Sequence, residues 1–190
     1  MKRACRIFIP SLALFCLALP ARADDNIVDA AMGDIDGDGR QDLVVLTLPE
    51  GKMENDVGIA VYLREPQYPA LKQAIVFPAR FWGTKSAGQQ PQISILANRS
   101  IIVHTQNMSI GRTHWERTYT LAWRDGELVV AGFTYSFFDT ISQWTAGRCD
   151  INLLTGEGTR NGAMLATSSQ HITLAEWDDA IGLGACRMED

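Results

Sequence analysis

The sequence predicts a mainly β fold: a single compact antiparallel β domain, either a hairpin-rich sandwich or a partly open barrel, with at most one or two short helices. Short runs of β-branched and other apolar residues recur along the chain, separated by turn residues. Two such runs flank Asp125-Gly126, a dipeptide typical of tight hairpin turns. Helical periodicity is sparse. The composition, 46% hydrophobic and 21% charged, is that of a folded protein rather than a disordered one.

The first 23 residues have the features of an export signal. Three basic residues within the first six positions precede the apolar run 7–19, and Ala21-Arg22-Ala23 places small residues at the −3 and −1 positions of a cleavage site. The run is shorter than the roughly 18 apolar residues of a membrane-spanning helix. We therefore expect cleavage after Ala23, a single domain over 24–190, a periplasmic or secreted location, and no stable membrane anchor after cleavage.

The charge of the predicted mature chain limits its partners. Cleavage would remove four basic residues and no acidic ones, which changes the formal net charge from −5 to −9. An acidic domain is poorly suited to neutralising phosphates, so we expect no nucleic-acid partner. A cation suits this charge better, and the expected macromolecular partner is an unidentified protein or glycan at the cell envelope.

The cysteines predict one disulfide. Cys5 and Cys16 lie in the signal segment, which leaves Cys149 and Cys186 in the mature chain. Two cysteines in an exported domain most often pair. Two buried free thiols are the alternative.

The strands are predicted in chain order from apolar runs bounded by turns. Pro49-Glu50-Gly51 ends the first run, and residues 97–100 form the turn of a later hairpin. The last pair of runs is expected to meet across the Gly-rich segment 156–162, which is predicted as a turn. The predicted strands are 42–48, 57–63, 93–96, 101–105, 116–123, 127–133, 151–154 and 163–166, with a last short one at 172–174.

Two segments carry helical signals. Residues 68–77 fit either a helix with Pro69 in its first turn or another strand. Residues 173–176, Thr-Leu-Ala-Glu, fit a capping box, and apolar residues follow at helical spacing. This pattern predicts a helix of about two turns that ends at Gly182.

The sharpest motif is the acidic segment 33–42, with the sequence GDIDGDGRQD. Aspartates occupy positions 1, 3, 5 and 9 of the loop 34–42. Four carboxylates this close repel one another, and a hard cation removes the repulsion. Ca²⁺ takes 6–8 oxygen ligands and tolerates irregular geometry. The loop therefore predicts a calcium site.

Each residue of the predicted site has an assigned ligand atom. Asp34, Asp36 and Asp38 each supply a side-chain oxygen. Arg40 supplies its backbone carbonyl while its side chain points away, and Asp42 closes the shell as a bidentate ligand. The glycines between the aspartates permit the sharp turn.

The loop differs from an EF-hand and resembles another family. An EF-hand requires a glutamate at position 12 that enters a helix, whereas this chain has Val45 there, within a predicted strand. The text GDIDGDGRQDLVVL, continued by GIAVYL, resembles the calcium loop of FG-GAP/VCBS-type repeats, the propeller-blade motif also found in integrin α-chains. The resemblance covers 26–63 and implies a calcium loop followed by a strand.

Only one such motif occurs, and a propeller needs several blades of about 40–50 residues each. A full propeller and the family's adhesion role are therefore not expected. Outside this region, the segments GRTHWERTYTLAWRDGELVVAGFTYS (111–136) and CDINLLTGEG (149–158) resemble those of uncharacterised secreted bacterial proteins, a resemblance that implies no function.

No catalytic centre can be identified from the sequence. His104, His114 and His171 lack zinc-site spacing, and a G-x-S-x-G nucleophile motif is missing. We expect an exported, calcium-binding, non-enzymatic interaction module in which Ca²⁺ is structural. A small secreted hydrolase with a site assembled from scattered acids or histidines is the alternative, and a domain that completes a larger complex is a third.

In the stretch 133–139, aromatic residues alternate with other residues, a pattern that predicts one face of a strand. If that face is exposed, we expect it to be a surface for a partner.

Overall fold

A computed structural model describes residues 25–49, 57–67, 69–142 and 144–188, which form two antiparallel sheets and one short helix. The smaller sheet has four strands in the order β1-β2-β3-β4. Successive strands pair with their neighbours, so this sheet is a simple meander. Its strands are β1 (Asp25–Gly33), β2 (Asp42–Pro49), β3 (Val57–Arg64) and β4 (Leu71–Phe81).

The larger sheet has seven strands in the order β11-β10-β9-β8-β7-β6-β5, and it is also a meander. The helix α1 (Asp179–Ala185) follows it. The prediction of a mainly β, hairpin-rich fold with few helices is confirmed. The strands of this sheet are β5 (Gln92–Ile95), β6 (Ile101–Asn107), β7 (Thr113–Arg124), β8 (Glu127–Asp139), β9 (Ala146–Asn152), β10 (Glu157–Arg160) and β11 (Ala163–Ala166).

One buried apolar cluster joins the two sheets. Val44, Leu46 and Ile59 of the smaller sheet belong to the same cluster as residues of the larger sheet and of α1. The ring of Phe81 lies 4.9 Å from that of Tyr119, and both side chains are fully buried. Burying a side chain of this kind contributes about 1.5–3 kcal/mol, so this shared core holds the sheets together.

The edges of the two sheets are also connected through Asp29. A register shift between Ile27 and Asp29 interrupts the pairing of β1 with β2. The Asp29 carboxylate accepts a hydrogen bond of 2.7 Å from the backbone N–H of Ile93 in β5. The strand that leads into the acidic loop is therefore attached directly to the larger sheet.

The predicted hairpin at Asp125-Gly126 is confirmed. Both residues have positive φ, 51° and 86°, and they connect β7 with β8. Two successive positive φ values match the twist of the flanking strands, which is why Asp-Gly is favoured there.

The ambiguous segment 68–77 is resolved as a strand from Leu71 onward; position 68 lies outside the described residues. β4 is an edge strand with most of its side chains exposed or half-buried. Pro78 lies within it, and an edge strand tolerates proline because one row of its backbone groups faces away from the sheet. The helix alternative is therefore wrong.

The predicted pairing of 151–154 with 163–166 is wrong, because the Gly-rich segment between them contains the strand β10. β10 pairs with β9 on one side and with β11 on the other. A Cβ on Gly158 would lie 2.2 Å from the carbonyl oxygen of Asp150, so the close strand approach requires glycine. The tight turn lies later, at Asn161-Gly162, where both φ values are positive.

The predicted helix begins later than its capping box. Its N-cap is Asp178, whose carboxylate accepts from the N–H of Ala180. The Glu176 carboxylate accepts from the N–H and the hydroxyl of Thr173, but these bonds close a separate turn. Gly182 lies inside α1 rather than at its end. A Cβ there would meet the buried Phe133 ring at 2.6 Å, so close packing on the larger sheet accounts for a glycine within the helix. The predicted strand at 172–174 is reduced to a single bridge with Val129.

The predicted disulfide is confirmed. Cys149 in β9 is bonded to Cys186 at the end of α1, with 5.8 Å between the two Cα atoms and both residues buried. A bridge that closes a loop of this length contributes about 3–4 kcal/mol in the chain-entropy view.

The predicted signal peptide lies outside the described residues, so its cleavage and the cellular location stay predictions. Within the described ranges, none of the helices has the length and apolar character needed to cross a membrane.

Candidate metal site

The acidic loop connects β1 to β2 at one end of the smaller sheet. Gly33 at the end of β1 pairs with Asp42 at the start of β2, so the loop closes this hairpin. Ile35 is buried in the core and fixes the loop to the fold. Gly37 and Gly39 have φ values of 87° and 84°, which side-chain-bearing residues rarely adopt.

Three of the predicted ligands lie together. Asp34, Asp36 and Asp42 each place one carboxylate oxygen so that the three atoms lie within 4.8 Å of one another. Among the described residues, no other group of three or more acidic, histidine or cysteine side chains meets this distance.

Asp42 is the buried member of this triad, with no exposed surface. One of its oxygens accepts a 2.8 Å bond from the N–H of Ile35, and the other accepts a 2.9 Å bond from the N–H of Arg64 in β3. A buried carboxylate requires such donors. Asp42 therefore has a structural role, because it joins the start of the loop to the third strand.

Asp34 and Asp36 are more accessible and are oriented by the loop backbone. The two oxygens of Asp34 accept from the N–H groups of Gly37 (2.7 Å) and Gly39 (3.2 Å), and Asp36 accepts from the N–H of Asp38. Partial burial, followed by the charges of Asp42, Asp38 and Asp34, raises the pKa of Asp36 above its ordinary value, against the opposing hydrogen bond from Asp38. The site thus disfavours negative charge on Asp36 when no cation is bound.

Asp38 is paired within the protein. Its carboxylate accepts from the backbone N–H of Arg40 at 2.8 Å and from the guanidinium Nε and Nη2 atoms at 2.9 Å each. The backbone bond, followed by the guanidinium, lowers the pKa of Asp38. The Arg40 side chain folds back onto the adjacent Asp38 carboxylate. The ligand roles of all five residues, Asp38 and the Arg40 carbonyl included, stay predictions.

Within the part of the chain that the structure describes, no basic side chain forms an ion pair with an aspartate of the triad. The basic side chains near the loop have other contacts. The Arg64 guanidinium donates to the carbonyls of Gln41 (2.9 Å) and Pro69 (2.6 Å). Arg99, in the turn between β5 and β6, lies against Gly37, where a Cβ would be 1.7 Å from Nη1. The positive φ of Gly37 favours glycine, and a Cβ there would require the flexible Arg99 guanidinium to move.

The donor set fits a hard divalent cation. All three grouped ligand atoms are carboxylate oxygens, the donors that Ca²⁺ and Mg²⁺ prefer. Burial, followed by the charges of the neighbouring carboxylates, raises the pKa of Asp36, and a bound cation would oppose this effect. Three carboxylates by themselves do not select Ca²⁺ over other hard cations.

The comparisons with known proteins add no relative. No protein-family model, curated protein or solved structure matches this chain. The resemblance of residues 26–63 to FG-GAP/VCBS repeats therefore rests on the motif itself.

A second polar cluster surrounds Asp179, the first residue of α1. Its carboxylate accepts from Arg117 Nη1 (2.6 Å), the Tyr119 hydroxyl (2.9 Å) and Trp177 Nε1 (3.1 Å). Burial, followed by the charge of Asp179, raises the pKa of Tyr119 well above its ordinary value. Arg117 and Tyr119 are about sixty positions from Asp179 along the chain, so no local spacing could have indicated this cluster. With three donors, Asp179 anchors α1 to the larger sheet.

Two of the three histidines contact side chains of neighbouring strands. His104 Nδ1 lies 3.1 Å from the Thr118 hydroxyl, and the His114 ring packs edge-on against Phe138. The described residues give no group that combines a histidine with two further metal-capable side chains.

Proposed function

We propose that this protein is an exported, calcium-binding, non-enzymatic interaction module of the cell envelope, in which Ca²⁺ is structural. The observation that carries the proposal is the convergence of Asp34, Asp36 and the buried Asp42 at the β1–β2 junction. A cation bound there would neutralise mutual repulsion and hold the hairpin closed. The acidic net charge and the oxygen-only donor set support Ca²⁺.

The structural role for Ca²⁺ follows from the position of the loop. β1 leads into it and is joined to β5 through Asp29, and the hydrogen bonds of Asp42 reach β3. Ordering the loop would therefore stabilise three strands at once. The buried Cys149–Cys186 disulfide supports export, because such bridges persist mainly in oxidising compartments.

No described group favours the hydrolase alternative. Tyr119 and Asp139 have strongly shifted pKa values, and both are hydrogen-bonded to charged partners that hold the fold. We propose a binding role for the module, with a protein or glycan of the envelope as its partner.

Isothermal titration calorimetry of the oxidised protein with Ca²⁺ tests the proposal. Asp36→Asn should weaken binding by more than about tenfold, because it removes one charged ligand while keeping the side-chain shape. Asp150→Asn is the matched control, since Asp150 is an exposed aspartate on β9 outside the loop. Equal Ca²⁺ affinity in the parent and the Asp36 variant, or no binding by the parent, would refute the calcium site.

A further inference from the structure

The larger sheet carries a groove at the end where β7 and β9 begin and β8 ends. Its volume is about 440 Å³, within the range of ligand sites. The rings of Tyr135 and Phe137 are stacked along it with centroids 5.7 Å apart, and Met188 lies beside them. The alternating aromatic residues of β8 thus provide an apolar floor. None of the lining residues belongs to the acidic loop.

Gly147 shapes this floor. A Cβ at this position would lie 2.6 Å from Phe137 Cε1 and 3.2 Å from Met188 Cε. The Phe137 ring and the Met188 side chain therefore pack directly against the backbone of β9 at Gly147. Any larger residue at 147 would displace them.

Among the described residues that line the groove, Arg160 is the one with a charged side chain. It is exposed and forms no ion pair with any residue that the structure describes, in a protein whose net charge is −5. Next to it, Asn161 is fixed in a turn with φ of 51°, and its Oδ1 accepts from the N–H of Arg148. This bond orients the amide and leaves its NH₂ group to donate to a ligand.

We propose that the groove binds a peptide segment that presents an apolar or aromatic side chain next to a carboxylate. The side chain packs on Phe137 and Met188, and the carboxylate accepts from the Arg160 guanidinium and the Asn161 amide. Charge-assisted hydrogen bonds of this kind are shorter and stronger than neutral ones. The Phe137 ring and the Met188 side chain offer an apolar surface that suits an apolar side chain better than the hydroxyls of a sugar.

The neighbouring surface also suits a protein partner. The connection between β8 and β9 leads into Ala146, which lines the groove, and it carries Ile141 and Trp144 with 76% and 96% of their surface exposed. Exposed large apolar side chains next to a groove are typical of protein interaction sites.

The test is an NMR titration of the oxidised, ¹⁵N-labelled protein with N-acetyl-L-phenylalanine and with its uncharged primary amide. Both titrations contain EDTA, so the result is independent of the calcium site. The acid should shift the amide signals of Gly147 and Asn161 and bind about tenfold more tightly than the amide, the difference expected for a hydrogen bond to a charged group.

Arg160→Gln should abolish the preference for the acid. Arg148→Gln is the matched control and should keep the preference, because Arg148 is an exposed arginine on the opposite face of β9. Equal binding of acid and amide, shifts confined to other regions, or an unchanged preference in the Arg160 variant would overturn the proposal. Tighter binding of D-glucuronate at the same amides would overturn the peptide assignment in favour of an acidic glycan.

Discussion

Asp42 combines two roles that the loop motif alone does not separate. Its carboxylate is completely buried and accepts backbone hydrogen bonds from both Ile35 and Arg64, and it also belongs to the metal-capable triad. Asp36 belongs to the same triad but is exposed, and among the described residues its carboxylate accepts a hydrogen bond only from the nearby N–H of Asp38. Substitutions at these two positions should therefore differ when no metal is present.

In EDTA, Asp42→Asn should lower the free energy of unfolding by about 2 kcal/mol, because the amide replaces a charged acceptor and turns an NH₂ group toward a backbone donor. Asp36→Asn should change it by less than about 0.5 kcal/mol, since the site is exposed and the variant relieves repulsion. Urea denaturation monitored by tryptophan fluorescence measures both. Similar losses in the two variants would contradict the separation of roles.

At the residue scale, spacing predicted the members of the site but not their pairing. The positions of the aspartates indicated candidate ligands, and three of them do converge. The Asp38–Arg40 pair depends on a side-chain rotamer, and the burial of Asp42 depends on the pairing of β2 with β3. Neither is encoded in the local pattern.

The connection between β8 and β9 shows how a charge pair orders an exposed turn. The Asp139 carboxylate is paired with Arg112 and also accepts from the N–H groups of Ile141 and Ser142. The bond to Arg112, followed by the backbone bond from Ser142, lowers the pKa of Asp139 from 3.8 to about 2. The turn that carries the exposed Ile141 and Trp144 is thus held by an ionised carboxylate.

This depressed pKa predicts a dependence on pH. The contribution of Asp139 is fully present above the unfolded value of 3.8 and is lost as the pH falls toward about 2. The carboxyl signal of Asp139 in an NMR titration should have its midpoint near 2. Asp139→Asn should reduce the fall in Tm between pH 4 and pH 2 relative to the parent. A midpoint near 3.8 would show that the pair with Arg112 does not form in solution.

At the element scale, strands with an apolar run or a clear alternation were predictable, whereas β1 and β10 were not. β7 and β8 follow from their apolar patterns and the Asp-Gly turn. β1 was not predicted, because its sequence DNIVDAAMG lacks a continuous apolar run and the strand is defined by its pairing with β2. β10 was missed because its glycine, which permits close strand approach, is also typical of a turn.

Connections between distant residues hold the whole molecule together. The two sheets share one core and the Asp29–Ile93 hydrogen bond, while α1 is fixed by the disulfide and by Asp179. The fold class and the disulfide could be predicted because composition, turn spacing and cysteine number limit them strongly. The division into a four-stranded and a seven-stranded sheet could not be predicted from the sequence, because it depends on which strands remain unpaired along one edge.

Thermal unfolding of the oxidised protein, first in EDTA and then in millimolar Ca²⁺, tests the central claim most directly. A cation that binds only the folded state adds about 2.7 kcal/mol at a hundredfold excess over Kd. For a domain of this size, that corresponds to a rise in Tm of about 5–10 °C. The account predicts this rise in the parent and in Asp150→Asn, and its loss in Asp36→Asn. An unchanged Tm on adding Ca²⁺, or an equal rise in the Asp36 variant, would contradict it.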